Sequence, residues 1–504
     1  MPPSLREWLA PDHLVWFVLG VVDQLDTSAF HRQHPKAGPG RRAFDPDLLL
    51  AVLVYAYATG ERSSRRIERL CGEHVAFQVL CGRDVPDHTV IARFRAAHED
   101  RFADVFAQVL VMCAKAGMGK VGIVAIDGTK IAADASIFAN RAEESLRAQA
   151  RQILEEAAAV DAAEDEEFGD ARGDEIAPEF ADPKTRAAAI KAALKEIEAE
   201  KKRRGEQADA EGQQRQGRWQ ERADAAGEEL ARTQAEAAER VAAWHAAHAA
   251  ADAGQGKRPT GPRPSVESHQ VRAARKKTDR LQQRAAARSP HAQDVEPTPI
   301  KGNLTDPQSR IMKTRTGWIQ GYNAQLAVSE DYLIIATSLT QDTNDMASFE
   351  PMLNATAAAA DQIQAHRPDP LQDETVTDTI GVVLADAGYC SEHNLTIEGP
   401  DRLIATSKDR RWRAEAERDP RTGQPPPNAT ALDQMRHRMR TPEGAATYAR
   451  RGATVEPVNA HLKDQVRLRR FSRRGLTAAT SELNLAAAVT NLLKLHRHTI
   501  QPAT

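Results

Sequence analysis

"VGIVAIDGTKIAADAS", Val121 to Ser136, is the stretch on which the fold turns. Five of its first six residues are apolar and several are β-branched; then a lone Asp127 precedes Gly128-Thr129-Lys130. The pattern predicts a buried strand that delivers one carboxylate at its exposed end. Asp-Gly is also a common turn dipeptide, so this segment by itself leaves a turn open.

Two more acids stand in comparable settings. "TIGVVLADAGYCSE" is an apolar strand that again ends in one acid, Asp386. "ATVEPVNAHLKDQVRLRRFSRRG" reads as helical with a break at Pro457, which makes Glu456 a helix-opening acid. Each has a bland explanation: Asp386 as a cap for a helix at 391, Glu456 as a first-turn acid favoured by the helix dipole. Together, carboxylates gathered from separate elements suit Mg²⁺, which takes a few protein oxygens and leaves positions for water and phosphate. Buried acids without a cation would be costly.

Around these segments the chain divides by composition. Residues 1–118 read as helical, with Asp45 or Asp47 starting "FDPDLLLAVLVYAYATG", Gly60 stopping it, Ser63 or Ser64 capping the next helix, and a long helix running on behind Pro86-Asp87. Arginines 65, 66, 93 and 95 leave a helix-turn-helix and a plain bundle equally open. Residues 141–297 are rich in Ala, Glu, Arg, Gln and Lys and poor in large apolar residues, which predicts a helical or coiled-coil insertion whose basic third helix runs from 269 to 288. Residues 119–140 and 298–497 then form an α/β domain: "NLTDPQSRIMKTRTGWIQGYNAQLAVS" ends in a strand, "YLIIATSLT" pairs with it across Ser329-Glu330-Asp331, and "RLIATSK" is another short strand.

Bulk properties exclude several classes. The net charge is −3, so any signal for a polyanion must be local. It is: residues 402–474 hold 18 Lys or Arg against 8 Asp or Glu. Four cysteines without ligand spacing, Cys71, Cys81, Cys113 and Cys390, argue for a reducing cytoplasm. Nothing at the N-terminus is built like a signal peptide, and Leu14 to Val22 is too short to span a membrane.

"AIDGTKI", "LADAGY" and "YARRGATVEPVNAHLKDQ", with the strand region between them, resemble the DDE transposases of bacterial insertion sequences. The resemblance implies an RNase H-like catalytic domain in which Asp127, Asp386 and Glu456 bind metal, Mg²⁺ with Mn²⁺ as a substitute, as two ions. It implies cleavage at the ends of a DNA element followed by attack of the freed 3′-hydroxyl on target DNA. It also implies partners: double-stranded DNA at terminal inverted repeats and target, and a second copy of the chain, in a bacterial nucleoid and not at a membrane. Many members carry a Tyr-Arg-Glu-Lys signature, matched in type and order by Tyr448, Arg451, Glu456 and Lys463; the Arg-to-Glu gap is four rather than three, so Arg450 is a second candidate. Lys130, Arg310, Lys313 and Arg315 are candidates for phosphate contacts. Trp412 is a candidate for stacking on an unpaired base, against packing as its ordinary role. The rival readings are an RNase H-like nuclease without strand transfer, a catalytically inactive DNA-binding coiled-coil protein, and a helical scaffold that leaves the acid-tipped strands unexplained.

Overall fold

The computed structural model describes residues 5–32, 43–82, 84–152, 183–255, 257–258, 260–287, 300–368 and 380–500. Stretches 153–182 and 288–299 of the expected insertion lie outside them. The chain divides into two compact units, 1–141 with 303–504, and 142–302.

In the first unit, helices begin where short polar side chains can satisfy their free amides. Asp45 accepts from Asp47 N at 2.8 Å and Pro46 follows it at the first helical position. Asp87 accepts from Thr89 N at 2.7 Å. Ser63 precedes the helix Ser64–Glu73 without capping it; its amide instead donates to Glu61. The long helix expected after Asp87 is two, His88–Ala97 and Arg101–Lys115. This helical region shares one hydrophobic core with the sheet and the C-terminal helix Leu476–Ile500. Arg62 donates to Glu482 and to the carbonyls of Arg467 and Arg470, the latter two at 2.7 Å. Arg95 is buried and reaches Tyr57, Ser472 and the Arg62 carbonyl. Arg66 pairs with Glu61, so two of the four arginines weighed for a helix-turn-helix serve the fold.

The six-stranded sheet comprises β1 (Ile123–Ala132), β2 (Arg310–Thr314), β3 (Gly317–Ser329), β4 (Ile334–Thr340), β5 (Val382–Ala385) and β6 (Arg402–Ile404). Its order is β2-β3-β1-β5-β6, with β4 also on β3. β3 runs antiparallel to β1, β2 and β4, whereas β5 is parallel to β1 and β6 to β5. The hairpin β3–β4 closes where the sequence put it, the Tyr332 amide donating to the Ser329 carbonyl at 2.8 Å. Within this sheet β2 is the strand the sequence reading missed: it is short, and only Met312 of its five residues is buried. On β4, the Asn491 side chain accepts from Ile334 N at 3.0 Å and donates to Ile334 O at 2.8 Å, so a helix side chain satisfies strand backbone.

Asp127-Gly128 is not a turn. β1 runs five residues past Asp127, paired throughout with β3. What ends at Asp127 is the pairing with β5, whose last rung is Ile126↔Ala385. The helix carrying Glu456 also differs from expectation. It spans Pro442–Asp464, capped by Thr441 with Gly444 N donating at 3.0 Å, and passes through Pro457 without ending. Glu456 is therefore mid-helix. Proline costs one backbone bond there, and the buried row Tyr448, Val455, Val458 and Leu462 holds the helix to the domain on both sides of it.

The second unit contains a helix Pro183–Asp252, one continuous element of 70 residues where two were expected, and a helix His269–Ala287. They run antiparallel: Arg284 lies over Trp219, Thr278 donates to the Ala226 carbonyl at 2.9 Å, and Arg240 reaches Gln270 at 3.5 Å. Val271, Thr278 and Ala285 recur at seven residues and are buried, facing a partner row that includes Ala223, Ala226 and Ala237. Such spacing is that of a coiled-coil seam made of small residues. No described helix in the chain is long and apolar enough to cross a membrane.

Candidate active site

Asp127 and Asp386 follow directly on the last paired rung of two neighbouring parallel strands. Adjacent strands lie about 4.8 Å apart, so the two acids emerge side by side where the parallel ladder of β1 and β5 ends, at the carboxyl end of β5, the kind of edge where open α/β sheets form crevices. Asp386 accepts from Gly388 N at 2.8 Å, capping the tight turn Ala387–Tyr389 and not a helix at 391.

The helix Pro442–Asp464 lies across β1 with one row of side chains turned to it. Arg451 Nη1 lies 3.3 Å from Asp127 Oδ1, and Asn459 Nδ2 donates to Asp127 Oδ2 at 3.1 Å. Lys463 Nζ donates to Thr129 Oγ1. Thr129 is two residues beyond Asp127, so it shares its face of the strand. Glu456 stands on the same helix, between Arg451 and Asn459, and is exposed.

Electrostatics ties these groups together. Burial lifts the Asp127 carboxyl to about 6; Arg451 opposes the rise, and Asp386, Asp345 and Glu456 add to it. Burial also raises Asp386, against the Gly388 amide and Arg451, with Asp345 and Asp409 pushing it further up. Burial lowers the Lys463 ammonium, assisted by Arg469, while Asp127 works the other way. Asp345 belongs to this cluster and was not found in the sequence. It stands alone before a short turn at Met346–Ser348, in a stretch with no apolar run to mark it. Asn459 was missed too, as a neutral residue within a helix.

The other sequence candidates take distinct places. Arg450 points to Glu330 at 2.7 Å, so Arg451 is the arginine that meets Asp127. Tyr448 is buried and Trp412 is 5 % exposed; their rings meet edge-on at 5.0 Å. Trp412 thus packs as a core residue here, in one cluster with Tyr448, Met435 and Met439, which favours its ordinary packing role over stacking on a base. Lys130 pairs with Asp345 at 3.2 Å. Lys313 and Arg315 are exposed on the β2–β3 hairpin, and Arg310 is half-buried, donating to the Pro307 and Ser309 carbonyls. Part of the basic surplus of residues 402–474 is met by acids outside that stretch: Arg438 by Asp401, Arg450 by Glu330, Arg451 by Asp127, Arg473 by Glu99 and Arg474 by Asp134.

The donor set fits a hard divalent cation: carboxylates from three elements, with no thiol or imidazole among them. The acids are not clenched into a cage. The two groups of described residues that bring three ligand-type atoms within 4.8 Å are His31, Asp45, Asp47 and Glu68, Asp87, His88, both in the N-terminal helical region. At Asp127 one carboxylate oxygen meets the Arg451 guanidinium and the other accepts from the neutral Asn459 amide.

Comparison with known families bears on this arrangement. A transposase domain (DUF772) matches residues 3–97, and a transposase DDE domain matches residues 413–496, the part holding Glu456 and the Tyr448–Lys463 row. No curated protein and no solved structure matches the chain. Members of the DDE family generally use divalent metal ions. These two matches together support a DDE-type transposase of an insertion element.

Proposed function

We propose that this transposase nicks the ends of its element and joins the freed 3′ ends to target DNA, by phosphoryl transfer on an RNase H-like sheet. The carrying observation is the register: Asp127 and Asp386 each follow the last paired rung of two adjacent parallel strands, and a helix from the matched DDE segment reaches Asp127. The strand order and directions, antiparallel pairing among β1 to β4 and parallel pairing of β5 to β1 and β6 to β5, support the RNase H-like reading.

Asp127, Asp386 and Glu456 would hold two divalent ions, Mg²⁺ or Mn²⁺. When bound, such ions supply a water or hydroxyl nucleophile at neutral pH and stabilise charge on the leaving oxygen. The residues of the chain do the rest. Asn459 and Arg451 fix the Asp127 carboxylate in one orientation. Arg451 keeps it ionised against burial. Lys463, held at Thr129, presents an ammonium one strand residue pair beyond Asp127, where a phosphate of the same DNA strand is neutralised. Positioning and charge stabilisation carry this kind of chemistry. The chain acts on duplex ends as a homodimer.

The test is an assay with the purified protein and a duplex ending in the sequences that flank the gene. Mg²⁺-dependent nicks and joined products are expected, both lost in Glu456→Gln, Asp127→Asn and Asp386→Asn. Nicks without joined products would reduce the reading to a nuclease. Cleavage that survives all three substitutions would overturn the site.

A further inference from the structure

Behind the paired acids sits an aspartate that the reaction above leaves without a task. Asp345 Oδ1 accepts from Asn323 Nδ2 at 2.7 Å, from Gln325 Nε2 at 2.8 Å and from Lys130 Nζ at 3.2 Å. Its side chain is 21 % exposed. Gln325 in turn accepts through Oε1 from the Tyr389 hydroxyl. The donors come from both central strands and from the turn that follows Asp386.

Side chains alternate along a strand. Asp127 and Thr129 face the helix Pro442–Asp464; Gly128 and Lys130, with their partners Gln325 and Asn323, face the other way. Asp345 therefore backs the sheet from the side opposite Arg451. Two glycines make room for it. A Cβ on Gly128 would collide with Asp345 Oδ1 and lie 2.7 Å from Gln325 Nε2. A Cβ on Gly388 would lie 3.0 Å from Asp386 Oδ1 and 3.3 Å from Asp345 Oδ2. Gly128 is the residue after Asp127, and Gly388 is two after Asp386. One carboxylate thus abuts the backbone beside each of the two acids.

We infer that Asp345 is a positioning residue for phosphoryl transfer: wedged against Gly128 and Gly388, it sets the spacing of Asp127 and Asp386 from behind and aims Lys130 along the same edge. This rests on the reading of the site given above. An anion accepting three donors, one of them charged, is held in one orientation. Groups that share metal ions must keep their geometry within about 0.5 Å, which is the task of supports such as this one.

The test uses the full chain with two readouts: Mn²⁺ affinity by calorimetry without DNA, and Mn²⁺-dependent nicking of supercoiled plasmid, resolved into kcat and KM. Asp345→Ala is expected to weaken Mn²⁺ binding or lower kcat by about 10- to 100-fold, the range for groups that orient metal ligands, with KM for DNA unchanged. Asp345→Asn keeps the volume and an oxygen for the two amides but loses the ion pair with Lys130, so it should fall between Ala and wild type. Should Asp345→Ala not fold, Asp345→Asn decides alone. Wild-type Mn²⁺ affinity and kcat in either variant would overturn the proposal. So would a parallel loss of kcat, KM and thermal stability, which is the mark of a merely structural residue. A wild-type protein that binds Mn²⁺ but nicks no DNA would sink the transposition reading while the affinity arm still judges Asp345.

Discussion

Arg451 and Asn459 grip opposite oxygens of Asp127, at 3.3 and 3.1 Å, from two turns of a single helix. The carboxyl they hold has been lifted by burial to about 6, with Arg451 the foremost group holding it down. Cation binding needs the ionised form, so Mn²⁺ affinity should decline as pH falls through about 6. Arg451→Gln removes the opposing charge, and the decline should then begin at higher pH. Calorimetric titrations from pH 5 to 8 read this directly; an unmoved profile would mean that Arg451 does not govern the acid.

The same shift bears on stability with the opposite sense. The folded chain keeps the Asp127 proton up to about pH 6, while the unfolded chain loses it near its ordinary value of 3.8. The folded state binds more protons between these values, so this group's contribution falls as pH rises through them. Metal-free protein should gain more thermal stability from added Mg²⁺ at pH 8 than at pH 5, as scanning calorimetry with and without the ion would reveal.

Trp412 makes a sharp case because its two roles predict different losses. Packed against Tyr448 and the two methionines, it should behave as a core side chain, and Trp412→Ala should cost about 3–5 kcal/mol of unfolding free energy. Chemical denaturation measures that loss. At temperatures where the variant stays folded, its affinity for duplex with an unpaired end should match wild type; a selective loss there would restore the stacking role.

The outer face of the helix His269–Ala287 carries Arg272, Lys276 and Arg280, all exposed and each four residues from the next. They lie away from the buried row Val271, Thr278, Ala285, so they can be neutralised without touching the seam. If this stripe meets DNA, replacing all three by Gln should flatten the slope of log affinity against log salt by roughly 2.5 to 3 units, about 0.9 for each phosphate contact. An unchanged slope would return the stripe to ordinary solvated surface.

Excising residues 142–302 with a short linker should leave the first unit folded, since it holds its own core cluster and the second unit its own seam. Circular dichroism and a single cooperative transition would confirm it. Loss of the sheet signal would show that the insertion completes the domain.

How far the sequence could be read follows from which interactions are local. Apolar runs and β-branching marked β1, β4 and β5, and the caps at Asp45 and Asp87 were visible because the capping oxygen lies two residues from its amide. The acids were found through the apolar runs that precede them. Their exact setting was not, because the end of a ladder with β5 is a property of two strands some 260 residues apart, and Asp127 itself sits inside a longer strand. The helix at Pro442 was misread because Pro457 is a strong local stop, while the burial of Val455, Val458 and Leu462 that overrides it is tertiary. Asp345 and Asn459 had no local signal at all. The basic surplus of 402–474 was correctly counted, yet pairing partners such as Glu99 and Asp134 lie hundreds of residues upstream.

Arg62 meets Glu482 across 420 residues of chain. During synthesis at about 5–20 residues per second, roughly 20 to 80 s separate the emergence of the two. Through that interval the N-terminal helices lack the acid that neutralises Arg62, and β1 waits first for β3 and then for β5, its edges open. The nascent chain therefore passes through a long aggregation-exposed phase. A product truncated anywhere before the C-terminal helix would remain in it, a target for holdases and proteases and not a smaller working enzyme.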